Sequence, residues 1–271
     1  MSAGAALADR LAALGRLDDA DFPPAEAALA LAARDRPADR AALPRRLARL
    51  DSLAAELRRA VAGRADPAVP AAAFAALLDP AAGDEIETGD FGAAVERRHG
   101  PPEALALLLL EVGRRAGLDL HPLAFPARLL LRIDGADGQR RILDPADPAR
   151  SLTACDLRAL LKAGCGLSQE LRPDHFLPLG NRAVLARQQH AVRAELLRQG
   201  RLDDALALVE DLLRVAPDQT ALWREAGLMH LRRGNRGGAL AALQQFVQRT
   251  ADARARARTL SLMADLRARP F

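Results

Sequence analysis

Few side chains in this sequence can act as nucleophile or base: two cysteines, Cys155 and Cys165, and five histidines. A thiolate attacks an acyl carbon when a neighbouring imidazole lowers its pKa and takes its proton. The combination able to do this here is Cys155 or Cys165 with His175. Cys155, however, falls in an expected helix around Leu157, where a free cysteine behaves as a small buried hydrophobe. His99, ahead of a helix start, and His121, before Pro122 in an expected strand, have spacings that fit no metal pattern. With no readable cluster of histidines and carboxylates of zinc type, no metal and no cofactor is expected. Arginines supply the remaining chemistry: Arg254, Arg256 and Arg258, with Arg232, Arg233 and Arg236. They are mixed with Asp and Glu and have almost no aromatic neighbours, which reads as a solvated helix face or a contact for an acidic protein rather than a nucleic-acid stripe.

The elements that must position these groups are mostly helical. Half of the 271 residues are apolar but only 3% are aromatic, with no Tyr and one Trp. Cores must therefore be built from Ala, Leu and Val, and Ala and Leu favour helices. The length suits two domains, each able to bury a core without metal or disulfide. The two cysteines and the absence of a readable secretory signal point to a reducing, cytoplasmic compartment. The longest apolar run, Ala104 to Leu110, is too short to cross a bilayer. Net charge is +4, and from Arg182 onward 16 Arg against 9 Asp plus Glu give +7, leaving −3 before it. That change of sign suggests separate modules and a basic C-terminal surface.

Residues 3 to 62 read as helices broken at Phe22-Pro23-Pro24 and near Asp35-Arg36-Pro37. Between Leu43 and Val61, Leu43, Leu47, Leu50, Leu53, Ala54 and Leu57 mark one buried stripe. Residues 63 to 90 read as loop with one short helix near Phe74 to Leu78. Pro101-Pro102-Glu103 opens the most apolar helix, which ends at Gly117; leucines on nearly every face make it central and buried. Strands are expected over Leu118 to Phe125, Arg128 to Ile133 and Arg140 to Leu143, with a turn at Asp134 to Gly138, and a helix over Thr153 to Lys162.

Beyond residue 182 the pattern is helical and repeats. Gly200, Ala205, Leu206 and Pro217 recur 34 residues later as Gly234, Ala239, Leu240 and Ala251. That period is the tetratricopeptide length: glycine ends the first helix, alanine lets two helices approach, and proline stops the second. Trp223, Gly227 and His230 fall where the first helix of a unit packs. On that helix Arg224, His230 and Arg233 are candidates for meeting a partner, while Trp223 is expected to fill the inter-repeat core.

A buried helix with a glycine-proline start, two or three strands carrying F-P-x-x-L-L-L-R, and then L-D-P resembles the transglutaminase-like branch of the papain-type fold. Arg97-Arg98-His99-Gly100-Pro101-Pro102, Arg114-Arg115-Ala116-Gly117-Leu118, Phe125-Pro126 and Leu143-Asp144-Pro145, with helical repeats behind them, resemble the bacterial SirB family. In that family a transglutaminase-like domain precedes tetratricopeptide repeats, and some members are described as regulators of invasion genes. The resemblance covers roughly residues 90 to 250. It implies an α+β fold with a helical segment over 1–90 packing on the core, a degenerate transglutaminase-like core over 91–181, and repeats over 182–271.

The resemblance also implies a Cys, His and Asp constellation, with the cysteine at the start of the central helix. Here Pro102 takes the nucleophile position, Arg128 the histidine position, and Asp144 alone is kept. Proline offers no nucleophile and arginine stays protonated, so the usual acyl transfer is not available. Asp144 then has two readings, an ion pair with Arg128 or a turn aspartate before Pro145. The expectation is a pseudoenzyme that binds a protein or peptide partner, with no membrane and no nucleic acid. A hydrolase or acyltransferase with a displaced cysteine is the alternative.

Overall fold

In the computed structural model, residues 3–34, 36–63, 68–79, 90–135 and 138–268 are described. Parts of the expected loop over 63 to 90 (64–67 and 80–89), and Ala136 and Asp137 of the expected turn, lie outside them. The described chain is α+β, mostly helical with one small sheet. It divides into two compact units, Asp18–Val192 and Met1–Leu17 with Arg193–Phe271.

In the first unit the helices α2 (Pro24–Ala32), α3 (Pro37–Val61), α4 (Ala68–Leu77) and α5 (Phe91–Arg97) precede the central helix α6 (Pro102–Ala116). Pro101 caps α6 in extended geometry, Pro102 occupies its first turn, and Glu103 complements the helix dipole. Leu105 and Leu107 to Leu110 are all buried, because α2, α3 and α5 cover one side of α6 and the sheet covers the other. Gly117 ends the helix at φ 90°, a left-handed backbone that residues with a Cβ avoid.

Four antiparallel strands follow in sheet order β1 (Leu120–Leu123), β2 (Leu130–Asp134), β3 (Arg140–Asp144) and β4 (Asp147–Ser151). The sequence reading gives three strands; β4 is added at the edge, where Pro148 costs no ladder bond. Register pairs Leu120 with Ile133 and Pro122 with Leu131, and places these side chains toward α6. The alternate positions Leu123, Leu130 and Ile142 join Phe125 and the residues Leu157 and Leu161 of α7 (Ala154–Cys165) in a second apolar cluster. A capping box starts α7: Thr153 Oγ1 accepts from Asp156 N, and Asp156 Oδ2 accepts from Thr153 N at 2.8 Å. Along the free side of β1, Ala124 N donates to Leu177 O and Leu179 N to Pro122 O. The unit then enters α8 (Asn181–Arg198), whose start is fixed by Asp19: its carboxylate accepts from the backbone N–H groups of Asn181 and Arg182, both at 2.9 Å.

In the second unit α9 (Leu202–Val215), α10 (Thr220–Arg232), α11 (Arg236–Arg249) and α12 (Ala253–Ala268) pack serially, α9 on α10, α10 on α11 and α11 on α12. Gly227 lets α10 and α11 approach: a Cβ there would lie 2.7 Å from Leu243 Cδ2. The first helix, α1 (Ala3–Gly15), buries Leu11 and Leu14 and packs on α9. It therefore groups with the repeats, whereas the expected segment 1–90 assigns it to the core. The division between the units falls inside α8 at Val192 and Arg193, eleven residues beyond the expected limit at 181. No helix among the described residues is long and apolar enough to cross a membrane.

Candidate functional site

The segment between β1 and β2 brings two of the three expected triad positions together, Arg128 and Asp144. Arg128 lies just ahead of β2 and donates from Nη1 to Asp144 Oδ2 at 2.6 Å. The other carboxylate oxygen of Asp144 accepts from Ala146 N at 3.0 Å. Asp144 thus fills both roles open in the sequence, ion-pair partner and turn aspartate, and it is buried. A cation held this way is neither a proton acceptor nor free to become one.

Two further elements converge on the same segment. Gly164 in the last turn of α7 lies against Ala127, where a Cβ would come within 2.7 Å of the alanine's own Cβ. From α8, Arg187 Nη2 donates to Pro126 O at 2.9 Å. Burial lowers the pKa of the Arg187 guanidinium, and Glu103, with Cys165 in its thiolate form, acts in the opposite sense. Glu103 at the start of α6 and Cys165 at the end of α7 are therefore both within electrostatic range of Arg187. Pro102 itself is half-buried in the first turn of α6 and carries no reactive atom.

The alternative nucleophiles are placed otherwise. Cys155 and Cys165 are both free and exposed, and among the described residues neither hydrogen-bonds a histidine. His175 is buried edge-on to Phe125, with ring centroids 6.1 Å apart, and its Nδ1 accepts from Arg172 N at 3.4 Å. Cys155 is exposed in the first turn of α7, not buried as its helix assignment suggests. His99 is half-buried in the loop before α6.

One cluster escapes a reading of spacing alone. Asp119, His121 and Asp134 offer ligand atoms within 4.8 Å of one another, because β1 and β2 pair across them. His121 Nε2 lies 2.9 Å from Asp119 Oδ1 and 3.7 Å from Asp134 Oδ2. Asp134 is already gripped by Arg132, through Nε at 2.7 Å and Nη2 at 2.9 Å. Both its oxygens thus serve a guanidinium, which repels a cation at the same point. Asp119 and His121, two apart in an extended chain, share a face; their link to Asp134 needs the strand register, which spacing does not give.

In the repeats the three candidate contacts separate. Arg224 is exposed. Arg233 Nε is held by Asp203 Oδ1 at 2.6 Å, and His230 Nε2 lies 3.5 Å from Glu210 Oε1, so both side chains serve the packing of α10 on α9. Trp223 donates from Nε1 to Pro217 O at 2.7 Å and carries Arg249 over its ring at 5.3 Å; it is engaged within the repeats but half-buried, not a core residue.

Comparison with known proteins agrees with these two parts. Residues 45–190 match the family model for the transglutaminase-like superfamily, and residues 192–264 match a tetratricopeptide repeat. Among curated relatives, a UPF0162 protein of Xylella fastidiosa is 33% identical over 158 residues, covering 56% of this chain and 55% of its own length. UPF0162 protein YchA of Escherichia coli is 29% identical, and Protein SirB1 of Salmonella typhimurium is 26% identical, each over 57% of both chains. The chain thus spans about half the length of the curated relatives it matches. The two models meet at residues 190 and 192, where the compact units also part. A match over residues 45–190, more than half of the sequence, with repeats directly behind it, shows that the chain belongs to the transglutaminase-like superfamily, in the SirB arrangement of such a domain followed by tetratricopeptide repeats.

Proposed function

We propose that this protein is a cytoplasmic, non-catalytic binding or regulatory protein: a transglutaminase-like domain without nucleophile or base, joined to repeats that hold a protein or peptide partner. The observation that carries the reading is the Arg128–Asp144 pair, in which the position of the family's base holds a guanidinium locked 2.6 Å from the family's third residue. Pro102 at the start of α6 adds to it, since a general base without a nucleophile beside it performs no acyl transfer. The repeats support the binding half, because stacked helix pairs present extended surfaces for peptides.

A second reading, a hydrolase or acyltransferase with a displaced thiol, draws on the placement of Cys165 within electrostatic range of Arg187. Labelling the full chain with an electrophilic acyl probe separates the two. The binding reading expects slow labelling of Cys155 and Cys165, unchanged by His175→Ala or Arg187→Ala. Fast labelling of Cys165 that depends on either residue overturns it. Reproducible capture of a protein partner from native lysate by the same chain tests the positive half.

A further inference from the structure

The 34-residue repeat runs one step further than its glycine and alanine marks. Met229 on α10 and Met263 on α12 stand 34 apart, and both are buried. The operation that sets α10 beside α9 therefore sets α12 beside α11 in the same register. At that register Arg224 and Arg258 are both exposed, and Leu228 and Leu262, four residues on, are both half-buried. Residues four apart share a helix face, so each helix presents an arginine above a leucine on its outward side. On α10 the face continues with half-buried Leu231 and exposed Arg232. On α12 the register of Leu231 is taken by Asp265, which makes the apolar row widest on α10.

On this face Arg224 and Arg232 are unmatched among the described residues, while Arg258 lies in the field of Asp252 and α12 adds Asp265. Carboxylates elsewhere in the repeats are used locally: Asp203 by Arg233, Asp204 by Arg201, Asp211 by Arg214, and Glu225 by the buried Arg193 at 2.9 Å. Among the described residues Arg224 and Arg232 have no ion-pair partner. Leucines between unmatched guanidinium groups favour a chain that brings both carboxylates and apolar side chains. A nucleic acid would instead use aromatic stacking, and the tryptophan of this helix is occupied by Pro217 O and Arg249.

Resting on the binding reading above, we infer that the outward face of α10 and α12 takes an acidic peptide segment, its carboxylates on Arg224, Arg232 and Arg258 and its apolar side chains on Leu228, Leu231 and Leu262. The test uses the full chain and three labelled probes followed by fluorescence anisotropy: a short peptide of glutamate and leucine, its glutamine-for-glutamate counterpart, and a single-stranded oligonucleotide. The acidic peptide binds, weakens as salt is raised, and loses about tenfold or more in affinity in the Arg224→Glu, Arg258→Glu double variant. That variant keeps its circular dichroism spectrum and melting temperature, since both positions are exposed. Equal binding of the glutamine peptide, binding of the oligonucleotide in place of the acidic peptide, or an unchanged double variant each overturns the inference. A native partner held equally by parent and double variant also overturns it while leaving the binding reading in place, whereas histidine-dependent labelling of Cys165 removes the reading itself.

Discussion

Around the segment between β1 and β2 the charged groups are matched from within the chain, while along α10 Arg224 and Arg232 are exposed with no ion pair among the described residues. Arg128 is held by Asp144, and Arg187 is anchored on Pro126 O. Deeper in the same unit, Arg46 bridges Asp39 at 2.7 Å and Glu96 at 2.9 Å, and Arg115 joins Asp51 and Glu111. Arg224 and Arg232 have no such partner among the described residues. Recognition favours the second region: a guanidinium already desolvated and paired must first break that pair, whereas an exposed one gives its full charge to an incoming carboxylate.

Leucines of the two regions should differ most. Leu107 is fully buried in α6, and Leu228 is half-buried on α10. Leu107→Ala should lower the unfolding free energy by about 2–5 kcal/mol, since it leaves a cavity among packed neighbours. Leu228→Ala should lower it by about 1 kcal/mol or less, because much of its surface is already in water. Urea denaturation of the two variants checks the contrast, and equal losses would mean that α10 is core rather than surface.

Next in size is the Arg46 network. Arg46→Gln removes a buried guanidinium from two carboxylates and should cost about 1–3 kcal/mol by the same measurement. Burial opposes ionisation of Glu96, but hydrogen bonds from Arg46 and Arg45 outweigh it and hold the carboxyl below its usual value. A depressed carboxylate contributes stability above its unfolded pKa and loses it as pH falls through the folded one. The parent should therefore lose melting temperature in the acid range below the ordinary glutamate pKa, and Arg46→Gln should flatten that slope.

What was legible in the sequence follows from the range of the signal. The central helix, its proline start and its glycine stop lie within one stretch of chain, and so do the 34-residue marks of the repeats; both are found where expected. Strand β4 was not legible, because Asp147-Pro148-Ala149-Arg150-Ser151 contains no β-branched or aromatic residue and is recruited by backbone bonding at the sheet edge. Nor was the grouping of α1 with the repeats. An Ala- and Leu-rich stripe announces a buried face without naming its partner, and here Gly15 permits an approach in which an added Cβ would meet Arg214 O at 2.5 Å. At the candidate site, Arg128 beside Asp144 could be anticipated from neighbouring strands. The group Asp119, His121 and Asp134 could not, since one member arrives only through cross-strand register.

Arg128→Ala tests the proposed non-catalytic reading. It strands a buried carboxylate that keeps, among the described residues, only the Ala146 N–H, and should cost about 1–2 kcal/mol. Reactivity of Cys155 and Cys165 toward an acyl probe should not change. Increased thiol reactivity in this variant would mean that the pair masks a working site instead of replacing one.

The smallest expected effect on stability is the most informative. Arg224→Ala removes an exposed side chain with no ion-pair partner among the described residues, so the unfolding free energy should stay within about 0.5 kcal/mol of the parent. Arg233→Ala, at the C-terminal cap of the same helix, removes the partner of Asp203 and should cost up to about 1 kcal/mol as an exposed pair. Two arginines on one helix thus separate by role: loss of the first is felt by a bound acidic peptide and not by the fold, and loss of the second by the fold first. Thermal melts with and without the peptide probe resolve them, and a larger unliganded loss for Arg224→Ala than for Arg233→Ala would reverse the assignment of binding and structural faces on α10.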